Sequence, residues 1–311
     1  MKVLVTCPPM LRRIEEFRET FESKGLELIC PPVVQILSEP ELLELVPTVD
    51  AWIIGDDPAT AQVFAAGKKG KLKAAVKWGV GIDNVDFKAA KALDIPISNT
   101  PGMFGEEVSN VALAYLLALS RHTHEIDRNV RKGVWHKPPG ISLTGRKAAL
   151  IGYGNIGRAT ASKLKVFGLE VFIHDPYAKP ESSEQQSFTF DSLDNVVRNA
   201  DFLLITCAMT NDNKHFVNDA LLKMLHPGAF VINVSRGPLI DERDLLTNLE
   251  SKHIAGAGLE VFEIEPIPHD HPFLKLENVI FGSHNGSNTI DAVRKTSLKA
   301  MSLLFNFLNI Q

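Results

Sequence analysis

An arginine, two glutamates and a histidine in the second half of the sequence follow short apolar runs that read as buried strands. Arg236 comes after Ala229–Val234, Glu263 and Glu265 after Ile254–Leu259, and His284 after Asn278–Phe281. In an open α/β sheet, ligands collect beyond the carboxyl ends of strands, so these side chains can share one site. A guanidinium fork holds a carboxylate through two parallel hydrogen bonds. A histidine can take or give a hydroxyl proton, and a carboxylate beside it orients the ring and favours its protonated form. Each residue also has a plainer account: Arg236 could pair with Asp241 at a helix start, His284 could be a satisfied loop histidine, and Glu265 could be solvated. Gly237, Gly282, Ser283 and Gly286 flank these positions with small residues and keep the space around them open.

The partner for this chemistry is encoded upstream, in KAALIGYGNIGRATASKLKVFGLEVFIHD, Lys147 to Asp175. Gly152, Gly154 and Gly157 have G-x-G-x-x-G spacing between an apolar strand, Ala148–Ile151, and a helix-length segment, Ile156–Phe167. In a dinucleotide loop the first glycine makes the tight turn, the second admits the pyrophosphate, and the third lets helix and strand pack closely. The helix N-terminus turns unpaired N–H groups and a positive dipole end toward the phosphates. A second strand, Val171–Ile173, leads to Asp175, 18 residues past Gly157. That is near the separation of about 20 at which an acid reaches a ribose 2′-hydroxyl. NAD is therefore the expected cofactor, and NADP the disfavoured one: Asp175 would repel a 2′-phosphate, and Pro176–Tyr177 supply no cation.

The elements that must hold these groups come from alternation. Val3–Val5, Leu26–Ile29, Ala51–Ile54, Ala74–Val76 and Ile95–Ser98 read as strands; Leu11–Ser23, Glu39–Val46 and Asp86–Leu93 read as helices. Such alternation implies a parallel sheet. The second half repeats it, with strand Asp201–Thr206, helices Asn218–Leu225 and Asp241–Glu250, and a closing helix Thr289–Leu308. The expected fold class is α/β, with two Rossmann-like doubly wound parallel-sheet domains and an active-site cleft between them. Asn99–Gly102 is a breaker cluster placed as the hinge. Glu106–Arg121 is apolar on most sides, so it crosses a core or packs against a second subunit; a polar arm, His122–Lys137, follows. His122, His124 and His136 there read as surface histidines, and no metal site is expected. Gly79–Asp86, GVGIDNVD, is either an ordinary turn or one whose N–H groups hold a small carboxylate.

The 311 residues suffice for two domains. With 45% hydrophobic and 23% charged residues and a formal charge of −4, the chain has no general attraction for nucleic acid or an anionic membrane. Cys7, Cys30 and Cys207 are far apart and odd in number, as suits thiols in a reducing compartment. The apolar run at the N-terminus is too short for a signal-peptide core, and Val111–Leu119 is too short for a membrane span. A cytoplasmic location is expected.

Taken together, GVGIDNVD (79–86), NTPG (99–102), GYGNIG (152–157) with HDP (174–176), INVSRGPLIDE (232–242), GLEVFEIEP (258–266) and GSHNG (282–286) resemble the D-isomer-specific 2-hydroxyacid dehydrogenase family across essentially the whole chain. Within it the resemblance is greatest to the D-3-phosphoglycerate dehydrogenases. The resemblance implies an NAD-dependent oxidoreductase that moves a hydride reversibly between C2 of a small 2-hydroxy acid and the nicotinamide. It implies catalytic roles for Arg236, Glu265 and His284, with Glu263 a bystander. It implies dinucleotide contacts at Gly152, Gly154, Asn155, Ile156, Gly157, Asp175, Cys207, Val234, Ser235, Arg236, Glu260, His284 and Gly286, and substrate contacts at Val80, Gly81, Arg236 and His284. Residues 1–100 with 285–311 would form the substrate domain and 101–284 the NAD-binding domain. Dimerisation would use the helix and arm near 105–140.

The sequence departs from the family pattern at Glu260, where an aspartate contacting the nicotinamide amide is usual, and at Ser283, where a proline is common. Ending at Gln311, it is expected to do without the C-terminal regulatory extension of some phosphoglycerate dehydrogenases. A glyoxylate/hydroxypyruvate or general 2-oxo acid reductase is the alternative within the family. A non-enzymatic NAD(H)-sensing, corepressor-like protein is the alternative of another kind. Arg12, Arg13 and Lys77 are either cations for a substrate phosphate or solvated surface charge.

Overall fold

The computed structural model describes residues Met1–Ile310, and among them the strands form two all-parallel sheets. The chain divides into two compact units, Met1–Met103 with the segment from Asn288 on, and Phe104–Ser287.

The first unit holds strands β1 (Lys2–Val5), β2 (Glu27–Ile29), β3 (Ala51–Ile54), β4 (Ala74–Lys77) and β5 (Ile97–Asn99) in the order β2-β1-β3-β4-β5. Its helices are α1 (Pro8–Leu11), α2 (Glu15–Glu22), α3 (Glu39–Leu45), α4 (Ala61–Lys69) and α5 (Phe87–Ala92). The single helix expected over 11–23 is two helices, because at Arg13 and Ile14 the backbone N–H groups reach three residues back, to Met10 and Leu11, and tighten the chain into a turn. Helix α4 is absent from the sequence-based expectation; Thr60 caps it, and Gly67 lets Leu72 and Val46 come closer than a Cβ would permit. Strands β3 and β4 are buried along their whole length, which explains their continuous rather than alternating apolar pattern.

The second unit holds β6 (Lys147–Ile151), β7 (Glu170–His174), β8 (Thr189–Phe190), β9 (Phe202–Ile205), β10 (Ala229–Asn233), β11 (Ile254–Leu259) and β12 (Val279–Phe281), ordered β12-β11-β10-β9-β6-β7-β8. The order reverses between β6 and β9, the switch point at which doubly wound sheets receive nucleotides. Around the sheet lie α6 (Gly105–Arg121), α7 (Thr123–Arg131), α8 (Asn155–Val166), α9 (Ser182–Ser187), α10 (Leu193–Val197), α11 (Asp219–Leu222) and α12 (Glu242–Glu250). Helix α6 packs on α8 and on the β10–β11 face. It buries Val108, Ala112, Leu113, Leu116 and Leu119, but Ala114 is exposed and Val111, Leu117 and Ala118 are half-buried, so one apolar strip lies at the surface of a single chain. The polar arm after it is in part a helix, α7, with no buried residue and an Asp127–Arg131 pair one turn apart. In this region Glu125 stands between His122 and His136, which it meets at 3.4 and 2.9 Å.

Helix α13 (Ile290–Phe307), capped by Thr289, returns to the first unit and lies against β4, β3 and α1. Among the described residues no helix is long and apolar enough to cross a membrane.

Candidate active site

The dinucleotide loop begins where β6 ends. Gly152 has φ +97, and its Cβ position is filled by the Cys207 backbone beyond the neighbouring β9; at Gly157 a Cβ would collide with the Gly152 carbonyl. Both positions therefore need glycine, one for conformation and the other for packing. Gly154 differs: nothing lies within 4 Å of its Cβ position, at the N-terminus of the 12-residue helix α8. Exposed backbone at Gly154 and Asn155, with Ile156 in the first turn, leaves the space and the N–H donors that a pyrophosphate requires. Thr206 ties the turn down, its hydroxyl donating to Gly152 O at 2.9 Å and Ile151 O at 3.1 Å. Beyond β7, the Asp175 carboxylate accepts the Tyr153 N–H at 2.7 Å and the Tyr177 N–H at 2.8 Å. Burial pushes the Cys207 thiol up to about 12, so this cysteine packs rather than reacts. The Ser235 hydroxyl donates to the Cys207 carbonyl, and Val234 beside it is buried. These residues fit a dinucleotide.

Glu265 and His284 meet. His284 Nδ1 lies 2.6 Å from Glu265 Oε2, while Glu265 Oε1 accepts the Phe262 N–H at 2.9 Å. With a carboxylate on Nδ1, that nitrogen carries the ring proton on its side, and Nε2 is the atom that can exchange a proton with substrate. Both side chains are partly sheltered, at 25% and 21% exposure, so they are neither solvated nor sealed off. His284 has φ 53, a left-handed conformation uncommon outside glycine. Its N–H donates to Glu260 O at 2.9 Å, and the Gly282 N–H to Leu259 O at 2.7 Å, which fixes the loop after β12 to the end of β11.

Arg236 begins the turn after β10. Its Nη1 donates to the Ser235 carbonyl at 2.8 Å, and the buried Asn233 fixes the turn through Arg236 O at 2.9 Å and Ser235 N at 3.0 Å. Gly237 sits so close to Phe262 and Glu263 that any Cβ would strike their backbone, which presses the arginine turn against the loop that bears Glu265. Glu263 is an anchor for this loop and not an idle neighbour. Glu263 and Glu242 accept each other's backbone N–H at 3.2 and 2.8 Å. His215 stands 3.2 Å from Glu263, and His271 stands 3.1 Å from Glu242. Burial holds the Glu242 carboxyl above the usual carboxylate range. No local sequence pattern marks this frame, since its members come from four separated segments.

Glu260 is 4% exposed. One carboxylate oxygen accepts the Tyr115 hydroxyl of α6 and the other the Asn285 N–H. Gly286 packs on its side chain. Tyr115 passes in the sequence as one more apolar residue of α6. The available signal is its hydroxyl, which needs a partner when buried.

Val80 and Gly81 belong to the first unit, in a turn held by Asn99 Nδ2 on Val80 O at 2.9 Å and by Thr100 Oγ1 accepting the Gly79 N–H at 2.8 Å. Lys77 is not solvated surface charge: it is 2% exposed, and its ammonium donates to Gly55 O at 2.6 Å and Asp56 Oδ1 at 2.8 Å. Arg13 pairs with Glu16 at 2.6 Å, and Arg12 is exposed.

The family model for the D-isomer specific 2-hydroxyacid dehydrogenase NAD binding domain matches residues 113–286, more than half of the chain. A glyoxylate reductase from Korarchaeum cryptofilum is 33% identical over 293 residues, covering 92% of this chain and 86% of the relative. A D-3-phosphoglycerate dehydrogenase from Mycobacterium leprae is 33% identical over 255 residues, covering 81% of this chain but 48% of that longer protein. Among solved structures, the TT0316 protein from Thermus thermophilus superposes with a TM-score of 0.87 at 30% identity, covering 99% of this chain and 97% of its own.

Proposed function

The chain belongs to the D-isomer specific 2-hydroxyacid dehydrogenase family, and from that premise we propose that it interconverts a small 2-oxo acid and the corresponding D-2-hydroxy acid. Its cofactor is NAD, whose nicotinamide, when bound, takes or gives the hydride. The observation that carries the reading is the 2.6 Å pairing of His284 with Glu265. During oxidation His284 takes the hydroxyl proton on Nε2, and during reduction it returns that proton to the carbonyl oxygen. Glu265 holds the ring in the required tautomer and favours its charged form. The Arg236 guanidinium binds the substrate carboxylate as a fork.

The substrate reading turns on phosphate. A phosphorylated substrate such as 3-phosphohydroxypyruvate needs a cation beyond its carboxylate clamp. Lys77 is committed to Asp56 and Gly55, and Arg13 to Glu16. With Arg12 exposed to solvent, this favours glyoxylate or hydroxypyruvate as substrate, and glyoxylate is the one named for the K. cryptofilum relative. The test is NADH oxidation on a panel of 2-oxo acids with and without phosphate. Turnover confined to the phosphorylated acid would overturn the substrate reading. No turnover on any acid would overturn the enzymatic one in favour of a nucleotide sensor. His284→Ala is expected to lower kcat by roughly a hundredfold or more while leaving NADH binding intact, the usual scale for a general acid–base group; a near-normal rate removes His284 from the mechanism.

The same reading includes a cytoplasmic homodimer built on the surface strip of α6 and the segment after it, where Val134 and Trp135 are 50% and 81% exposed. It includes no nucleic-acid partner.

A further inference from the structure

A buried carboxylate is costly unless its oxygens are satisfied, and Glu260 spends both of its oxygens on parts of the protein that have to be held in place. Tyr115 on α6 donates its hydroxyl to one, and Asn285, next to His284, donates its N–H to the other. The Glu260 backbone carbonyl takes the His284 N–H at 2.9 Å. The arrangement is tight: a Cβ on Gly282 would collide with the Glu260 carboxylate and the Tyr115 hydroxyl. Burial and the bond to Glu260 raise the Tyr115 phenol far above its ordinary range, so it stays a donor. His284 meanwhile occupies φ 53, a conformation that persists in a non-glycine residue only where its surroundings over-determine it.

We propose that Tyr115 and Glu260 are positioning residues for the acid–base histidine. Helix α6, through the phenol, holds the Glu260 carboxylate, which holds the Asn285 N–H while the Glu260 carbonyl holds the His284 N–H; the one residue thus fixes the backbone on both sides of the His284 Cα, and with it the 2.6 Å pairing with Glu265. The inference rests on the proton-transfer role proposed for His284. It gives Glu260 work in addition to any contact with the nicotinamide, since both carboxylate oxygens hold parts of this unit.

The decisive variant is Tyr115→Phe, which keeps the ring and removes only the donor. Its kcat for 2-oxo acid reduction is expected to fall about tenfold or more, the scale on which displacing a catalytic group by about 1 Å counts. NADH affinity, read by fluorescence quenching without turnover, should stay within about twofold, because a positioning role acts on the proton-transfer geometry and not on cofactor binding. The alkaline limb of the kcat profile should move to lower pH, because a looser Glu265 pairing favours the charged imidazole less. Glu260→Asp, whose carboxylate is a methylene too short for the phenol, should cause a similar loss, and the double variant should add little to either. Unchanged kcat and pH profile in Tyr115→Phe, or losses that multiply in the double variant, would overturn the proposal. So would NADH affinity falling by the same factor as kcat. A crystal structure of Tyr115→Phe reads the brace directly, and an unmoved His284–Glu265 pair in it overturns the proposal whatever the activity. A wild-type protein inert toward all 2-oxo acids would remove the reaction and leave that structural comparison to decide the brace.

Discussion

The Asp175 carboxylate stands at the end of β7 with one oxygen on the Tyr153 N–H and the other on the Tyr177 N–H. Each oxygen keeps a lone pair for a ribose hydroxyl, whereas a 2′-phosphate would bring negative charge against a group fixed from two sides. Like-charge juxtaposition of this kind costs several kcal/mol, so kcat/KM should favour NADH over NADPH by on the order of a hundredfold or more. Asp175→Ser should collapse that ratio, mainly by relieving the repulsion of NADPH. Comparable turnover with both cofactors in the wild type would refute the assignment. Residues of this kind are legible in a sequence because they depend on local spacing: Gly152 and Gly157 have the conformation and the packing that the strand–turn–helix pattern demands, and Asp175 directly follows the second strand. Tyr115 is not legible, because its partner Glu260 lies 145 positions away and a tyrosine amid leucines reads as core. Glu263 reads as a bystander for the same reason, its partners His215 and Glu242 being distant in sequence but adjacent in space.

The β6–loop–α8 unit works as one rigid element, and its tolerance can be put to a number. At Gly157 an added methyl would drive into the Gly152 carbonyl and press on Thr206 Oγ1 at 3.1 Å. Relief requires α8 to move off β6, since the obstacle is backbone and not the end of a flexible side chain. Overpacking of this kind costs about 1–3 kcal/mol. Gly157→Ala should therefore lower the melting temperature by several degrees, roughly 2–4 °C per kcal/mol in a domain of this size. NADH affinity should fall as well, because the α8 N–H groups shift with the helix; an unchanged melting temperature together with unchanged NADH affinity would show that α8 is not held by this contact. Gly154→Ala supplies the contrast, because its Cβ would meet open space: stability should hold while NADH affinity falls. The elements that escape a reading of the sequence are those whose stability is not written in apolar periodicity. Helix α4 contains Gly67 and ends in Lys68 and Lys69, so no helix is expected there until Val46 and Leu72 are seen to pack on that glycine. Helix α7 buries nothing and is supported by its own ion pair.

At the scale of the whole molecule, the chain leaves the first unit at Met103 and comes back to it at Asn288. The returning helix α13 buries Val293, Met301, Leu304 and Phe305 against that unit, and Phe305 meets the Phe21 ring edge-on at 5.5 Å. Ser297 accepts the buried Trp78 Nε1 at 3.1 Å. Burial of four large apolar side chains amounts to roughly 6–12 kcal/mol, about the whole stability of a typical domain. The first unit therefore cannot complete its core until α13 is made, although its five strands lie within the first hundred positions. The second unit is continuous, from Phe104 to Ser287. A chain ending at Ser287 should accordingly keep slow amide exchange across 104–287 and lose it across 1–103. It should still bind NADH through the β6–α8 loop, which lies wholly within the second unit. Protected amides in 1–103 of that shortened chain would mean that the five strands and α1–α5 already suffice. The C-terminal helix would then be an ornament on a finished domain and not the piece that closes it.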